Sequence, residues 1–264
     1  MAYRSLAVTV QDGVALVKFT RPDKLNALTF DTYRDIPEVA RDLEADPRVR
    51  AVVLTGEGRG FCSGGDVDDI IGALLKMDTA KLLEFTHMTG EATKAVLRLK
   101  KPVVAGVNGV TAGAGAVLAI ACDVRVAAES ARFAFLFTKV GLAGADMGAA
   151  YILPRLVGMG RAIEILHTGD IIAARDAERI GLVNRVVPDD QVRETSVAFA
   201  KKLAQAPPLA FAITKQALHM EATMGLDAAI EYEAQIQALC MTTADFHEGY
   251  NAFKEKRATR FTGQ

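Results

Sequence analysis

The sequence predicts an α/β fold with a helical C-terminal region. Three observations carry that prediction. Short β-branched runs alternate with amphipathic segments through the first two thirds of the chain. Beyond Met147 the periodicity is mostly helical. Twice, a hydrophobic strand runs into a glycine-rich loop that opens a helix. The first is Val52-Val53-Leu54-Thr55-Gly56, followed by Phe61-Cys62-Ser63-Gly64-Gly65-Asp66. The second is Val103-Val104-Ala105-Gly106-Val107-Asn108-Gly109, followed by Ala112-Gly113-Ala114-Gly115.

Each element has a local reason. Residues 5–11 and 14–20 flank Asp12-Gly13, a two-residue hairpin signal. Residues 29–44 place Phe30, Tyr33, Ile36 and Leu43 near helical spacing, with Thr29 as N-cap. Pro37 is expected to bend or interrupt that helix. Residues 51–55 form a β-branched run that Gly56-Glu57-Gly58-Arg59-Gly60 ends. Residues 80–99 show Phe85, Met88, Ala92, Ala95, Val96 and Leu99 on one helical face. A strand at 103–107 and a small-residue helix at 114–121 follow. Residues 124–127 read as a strand, and 133–137 as a further apolar piece. Residues 147–156, 161–167, 173–180, 189–205, 209–224 and 228–240 read as helices, with a short strand at 182–187. Gln205-Ala206-Pro207-Pro208 is the best boundary. It divides an α/β core domain, residues 1–205, from a helical C-terminal region, residues 206–264.

Composition excludes several classes. The chain has 264 residues, 50% hydrophobic and 24% charged, enough to bury a core without disulfides or metals. A formal net charge of −1 gives no bulk attraction to nucleic acid or an anionic membrane. Cys62, Cys122 and Cys240 are an odd, widely spaced set without C-x-x-C, so neither a disulfide scaffold nor a zinc ribbon fits. That usage suits a reducing cytoplasm. His167, His219 and His247 have no metal-ligand spacing, and no metal site is expected. Residues 1–13 lack an apolar signal core, so no export is expected. Residues 102–121 carry no charge and contain Gly109-x-x-x-Gly113, a length and motif that membrane helices use. Four glycines and Asn108 punctuate the stretch, and the expectation is a buried strand followed by a buried helix.

The two glycine loops invite a chemical reading. Glycine lets backbone approach a ligand, and a helix start offers unpaired N–H groups. Two such loops can aim two N–H groups at one oxygen, an oxyanion hole. No G-K-[ST] follows either loop, Leu118 stands where a dinucleotide fingerprint needs its third glycine, and Phe61 breaks a G-x-S-x-G elbow. The structural alternative is two tight turns that pack helix on strand.

Taken together, the motifs resemble the crotonase superfamily, the enoyl-CoA hydratase/isomerase group. The resemblance rests on Asn26-Ala27-Leu28-Thr29, the stretch from Ala51 to Asp66, and Lys101-Pro102-Val103-Val104-Ala105-Gly106-Val107-Asn108-Gly109. It continues through Cys122-Asp123, Lys139-Val140-Gly141-Leu142, Pro154-Arg155-Leu156-Val157-Gly158, Gly181-Leu182-Val183, Lys215 and Phe253-x-Glu255-Lys256-Arg257. It implies a spiral of β-β-α units with a helical C-terminal part, assembled as trimers or paired trimers. It also implies an acyl-CoA thioester substrate, with no cofactor beyond the coenzyme A that the substrate carries.

The resemblance carries over residue by residue. The oxyanion donors fall at the backbone N–H groups of Gly65 and Ala114. Lys24, Ala27, Ser63, Asp66, Val67 and Asp68 fall at positions lining the CoA channel. The basic tail, Lys254, Lys256, Arg257 and Arg260, is placed either to meet CoA phosphates or to be solvated. The departures are chemical. The two glutamates of typical hydratases correspond to Val117 and Phe137, neither of which moves a proton. Asp146 lies near the aspartate of dienoyl-CoA isomerases and aryl-CoA dehalogenases, in the apolar run Gly144-Ala145-Asp146-Met147-Gly148. As acid or base it would replace the glutamates. Its structural alternative is a helix cap. The dehalogenases' histidine corresponds to Gly90, and His87, Glu91, Lys94 and Arg98 read more simply as a solvated helix face. Phe137 is either an aromatic wall of a substrate pocket or core. Cys62 beside the first loop is expected to be small buried packing.

Three functional readings follow. The first is a hydratase/isomerase-type acyl-CoA enzyme using Gly65, Ala114 and Asp146. The second is a CoA-thioester or ring-cleaving hydrolase, or a dehalogenase, with Asp146 as nucleophile or water activator. The third is a non-catalytic CoA-binding homologue.

Overall fold

The structure, a computed structural model, describes residues 3–264. The hairpin forms as the sequence predicts. β1 (Leu6–Gln11) and β2 (Val14–Phe19) pair antiparallel with Gln11 opposite Val14. Asp12 and Gly13 supply the two positive φ angles, 50° and 78°, that such a turn needs. α1 (Phe30–Ala45) opens with a reciprocal cap. The Thr29 hydroxyl accepts from the Thr32 N–H, and the Thr32 hydroxyl accepts from the Thr29 N–H.

Pro37 does not interrupt α1, which runs unbroken over 16 residues. A proline inside a helix costs about 3 kcal/mol. Tyr33, Ile36, Val39 and Leu43 bury on the same helix, each worth about 1.5–3 kcal/mol, and their sum exceeds that cost.

The next elements build the spiral. β3 (Ala51–Gly56) leads into β4 (Gly60–Cys62), a π-helical turn at Val67–Ile71, α2 (Gly72–Leu74) and α3 (Thr79–Arg98). β5 (Val103–Val107) leads into β6 (Val110–Ala112) and α4 (Ala114–Ala121). β7 (Val124–Ala128) leads into β8 (Arg132–Ala134), α5 (Ala149–Val157) and α6 (Met159–Thr168). Each passage lays one strand in each of two sheets. The six-stranded sheet has the order β1-β2-β3-β5-β7, closed by β10 (Arg185–Val187). The four-stranded sheet has the order β4-β6-β8, closed by β9 (Ile172–Ala173). Neighbours are parallel except β1–β2 and β8–β9. This is an α/β spiral of β-β-α units.

α7 (Ala174–Arg179) precedes β10, and α8 (Val192–Leu203) covers the outer face of the large sheet. Val14, Leu16, Ala51, Val53, Val104 and Val126 pack there with Ala200 of α8. The alternate residues, among them Val17, Val52, Leu54 and Ala105, enter the main core on the other face. Burial on both faces explains the uninterrupted apolar strand sequences. The uncharged stretch 102–121 resolves into β5, β6 and α4, and no helix among the described residues is long and apolar enough to cross a membrane.

The chain ends in α9 (Pro208–Met220), α10 (Leu226–Met241) and α11 (Ala244–Glu255). α9 is tied to the spiral by the Lys215–Asp123 ion pair at 2.9 Å. Asp123 also accepts the Val103 N–H at 2.7 Å. Further along, the Arg50 guanidinium donates to the carbonyls of Ala204, Ala206 and Phe261. α10 buries none of its residues in this single chain.

Candidate active site

Two loops meet beside β4. In the first, Leu28 forms a parallel bridge with Gly65. The Leu28 N–H donates to the Gly64 carbonyl at 2.8 Å, and the Asp66 N–H returns to the Leu28 carbonyl at 2.9 Å. Gly64 has φ +98°, and a Cβ there would stand 3.0 Å from the Ala112 carbonyl oxygen and 3.6 Å from the Ala114 nitrogen. The second loop therefore lies in contact with the first. It is fixed by the Gly113 N–H donating to the Ala134 carbonyl at 2.9 Å. Ala114 is the first residue of α4, where an N–H has no intrahelical partner. Among the described residues, neither the Gly65 nor the Ala114 N–H donates within the chain.

Close packing holds this junction. A Cβ on Gly115 would lie 2.2 Å from the Cys62 carbonyl oxygen, so only glycine lets α4 start this near β4. All eight residues of α4 are buried. The Cys62 thiol is buried too, and burial pushes its pKa up to about 12. A thiol held neutral is packing, not a nucleophile.

Asp66 braces the first loop from behind. One carboxylate oxygen accepts the Asp68 and Asp69 N–H groups, at 2.9 and 3.1 Å, and so caps the π-helical turn. The other pairs with Arg21 at 2.9 Å. The bond from Asp69, with the Arg21 guanidinium, holds its pKa below the usual range. The predicted CoA-channel residues gather around it. The Ser63 hydroxyl donates to the Lys24 carbonyl, Lys24 lies 3.5 Å from Asp68, and the Ala27 carbonyl accepts from Arg21. Val67 is 73% exposed. Lys256 ends α11 in a left-handed conformation, and among the described residues no hydrogen bond or ion pair joins it to this group. Arg257 is taken up by ion pairs to Glu248 and Glu255.

Asp146 is half-buried ahead of α5. It does not cap that helix: the N-cap is Gly148, with no side-chain cap bond. Among the described residues, the Asp146 carboxylate accepts only the Met147 N–H, at 2.9 Å. Burial raises its pKa above the ordinary aspartate value, and the Met147 bond offsets part of that rise. Met147 holds φ 49°, an uncommon angle for a residue with a side chain. The buried Tyr33 hydroxyl is raised above the tyrosine range, first by burial and then by Cys62 and Asp146. Tyr33, on α1, packs edge-on against Phe85 at 5.9 Å. Sequence periodicity gives Tyr33 only as a residue at helical spacing; the electrostatic influence of Asp146 on it appears only in the folded chain.

The remaining candidates separate. Val117 and Phe137 are both in the main core cluster, where a carboxylate would otherwise be sought. Glu91 pairs with Lys94 at 2.6 Å on an exposed face of α3. Among the described residues, no group of three or more His, Cys, Asp or Glu is placed to hold a metal ion.

The chain thus combines an α/β spiral, two glycine loops in contact and a half-buried aspartate ahead of α5. The family model for "Enoyl-CoA hydratase/isomerase" matches residues 9–264, and the chain belongs to that family. A Rhodobacter capsulatus protein grouped with the enoyl-CoA hydratases is 38% identical over 100% of both chains. The 1,2-epoxyphenylacetyl-CoA isomerase of Escherichia coli is 35% identical over 97% of both. Among solved structures, a Streptomyces coelicolor A3(2) protein classed with the enoyl-CoA hydratases is 53% identical. It superposes with a TM-score of 0.96, covering 100% of this chain and 96% of its own.

Proposed function

We propose that this chain is an acyl-CoA isomerase. The Gly65 and Ala114 N–H groups hold the thioester oxygen, and Asp146 moves the proton. The observation that carries the reading is that Asp146 is a half-buried carboxylate that caps no helix, while Val117 and Phe137 leave no second carboxylate beside it. A 1,3-proton shift needs one base that removes a proton from carbon and returns it to another. Adding water divides the work between two groups. The enolate that forms in between is stabilised by the amide pair, each donor typically worth about 3–4 kcal/mol. The similarity to a CoA-thioester isomerase supports the same direction.

The CoA moiety is assigned to the side of the first loop, against Lys24, Ala27, Ser63, Asp66, Val67 and Asp68. Residues 206–264 are assigned to assembly as a trimer or paired trimers, with Lys256 reaching CoA in that assembly. Leu226, Ile230, Phe246 and Phe253 are each more than half exposed, as an uncovered subunit contact would be. The buried thiols suit a reducing cytoplasm.

The deciding experiment is α-carbon proton exchange in deuterated solvent, with product analysis across a panel of acyl-CoA thioesters. Exchange with double-bond or ring isomerisation that is lost in Asp146→Asn supports the reading. A covalent acyl mass on Asp146 refutes it in favour of nucleophilic hydrolysis. Binding with neither exchange nor turnover refutes it in favour of a non-catalytic homologue.

A further inference from the structure

We infer that the cavity between α3, α5 and α9 is a second binding site, separate from the thioester site, for an amphipathic anion: a carboxylate or phosphate head on an apolar body. The cavity holds about 690 Å³, within the range of small-molecule sites. Neither Gly65, Ala114 nor Asp146 lines it, so the inference stands apart from the role of Asp146.

Charge carries the argument. The walls include Lys94 and Arg98 on α3, Lys100 just beyond its end, and Lys215 and His219 on α9. Among the described residues, no aspartate or glutamate lines the cavity. Each helix thus presents two nitrogen donors four residues apart. Like charges at that spacing repel, so Lys94 and Arg98 oppose each other on α3. A cleft lined by one sign of charge focuses its field on an ion of the other sign.

The chain does not neutralise this set from within. Lys94 pairs with Glu91 and Lys100 with Glu44, but both lysines are exposed. Exposed pairs hold weakly, which leaves both amines free to turn to a ligand. Lys215 has a firmer counter-charge, Asp123 at 2.9 Å. Among the described residues, the Arg98 and His219 side chains have no ion pair or hydrogen bond. Burial, and after it the Lys215 charge, push the His219 pKa below the ordinary histidine value. An anion in the cavity would offset the second of these. The Arg98 fork suits either a carboxylate or a phosphate. The remaining walls set the body of the ligand. Leu97, Met147, Tyr151, Ile152 and Met220 are apolar or aromatic, and an alkyl or aryl group would cover what a bare inorganic ion leaves wet.

The test is calorimetric titration of the full-length protein with decanoate, decyl phosphate and decanol, with CoA present at saturation. One anion should bind per chain. Decanol should bind about tenfold more weakly or worse, the factor that a hydrogen bond to a charged group supplies. Tighter decanoate identifies a free acid as the ligand, and tighter decyl phosphate a phosphate ester; either supports the site. Arg98→Gln removes the unpaired guanidinium, and Gln216→Glu adds a carboxylate to the wall. Both positions are exposed, so a parental Tm should confirm the fold, and each variant should weaken anion binding about tenfold. Arg161→Gln, on α6 and outside the cavity, should bind as the parent does. The inference is overturned by absence of binding, by equal binding of decanol, or by displacement of the anion by CoA. Parental affinity in either cavity variant, or an equal loss in Arg161→Gln, overturns it as well.

Discussion

Gly115→Ala puts the oxyanion geometry to its sharpest test. The new Cβ would stand 2.2 Å from the Cys62 carbonyl oxygen, 2.7 Å from the Cys62 Cβ and 2.8 Å from its carbonyl carbon. Ordinary contact begins at 3.4 Å, so the start of α4 must retreat from β4 by about 1.2 Å. No rotamer change relieves a clash with backbone. Ala114, the adjacent residue, must move with it, and its N–H leaves the line of the Gly65 N–H. A misplacement of about 1 Å typically costs about 10²-fold in rate. The overpacking itself costs about 1–3 kcal/mol, a fall of several degrees in Tm. We expect kcat on the best thioester to fall about 10²-fold in protein that still melts cooperatively. Gly160→Ala is the control, since nothing lies within 4 Å of its Cβ position in α6, and it should keep full turnover. Where Gly115→Ala fails to fold, Gly64→Ala is the second probe, combining a 3.0 Å contact to the Ala112 carbonyl with the backbone strain of a side chain at φ +98°. A folded Gly115→Ala enzyme with parental kcat would refute the two-amide hole.

Asp146→Asn keeps the Met147 hydrogen bond but removes the acid, so kcat should fall by about 10²–10⁴-fold. Because burial raises the Asp146 pKa, the acid limb of kcat/KM in the parent should lie above the ordinary aspartate range, read from a pH–rate profile. The sign for stability is opposite to that of a salt-bridged aspartate. The folded chain holds the proton more tightly than the unfolded chain, so stability falls as pH rises through the window between ordinary and raised pKa. Thermal melts should therefore show Asp146→Asn above the parent at neutral pH and level with it below that window. Lys215→Met strands the Asp123 carboxylate, whose partner is only 8% exposed, and should cost about 3–5 kcal/mol in denaturant unfolding. Sedimentation of the parent should give a trimer or hexamer, and Phe253→Asp should shift it toward smaller species.

The sequence made most of the fold legible because its longer elements carry their own punctuation. Gly113 and Cys122 bracket α4, and Thr29 announces α1. β4, β6 and β9 stayed hidden because two or three residues inside a glycine loop have no period to detect. α11 was hidden for another reason. It buries only Asp245 and Ala252 in this chain, so it lacks a strong apolar stripe, although Thr243 does cap it. Pro37 misleads because a local penalty is visible in sequence and the core burial that outweighs it is not. The site was legible in part. The loops of Gly65 and Ala114 are far apart in the chain, and only the folded contacts, Gly64 with Ala112, Gly115 with Cys62 and the β4–β6 pairing, show that they meet. Whether Asp146 caps α5 depends on Gly148 taking φ 91°, which composition does not fix.

These particulars bear on how one scaffold can change its chemistry. The proposed thioester-oxygen site is made of backbone, and what holds that backbone is glycine packing: Gly64 against Ala112, and Gly115 against Cys62. No side chain at Val117 or Phe137 is needed for that geometry. Those positions can therefore join the core, as they do here, without disturbing the amide pair. Under the proposed role of Asp146, the proton carrier is then free to come from another segment. Asp146 comes from the loop before α5, with a backbone N–H as its only hydrogen-bond donor, so its basicity is set by burial and not by a partner charge. The same segment presents Met147 and Gly148 to a cavity of about 690 Å³ between α3, α5 and α9, which Lys94, Arg98, Lys215 and His219 also line.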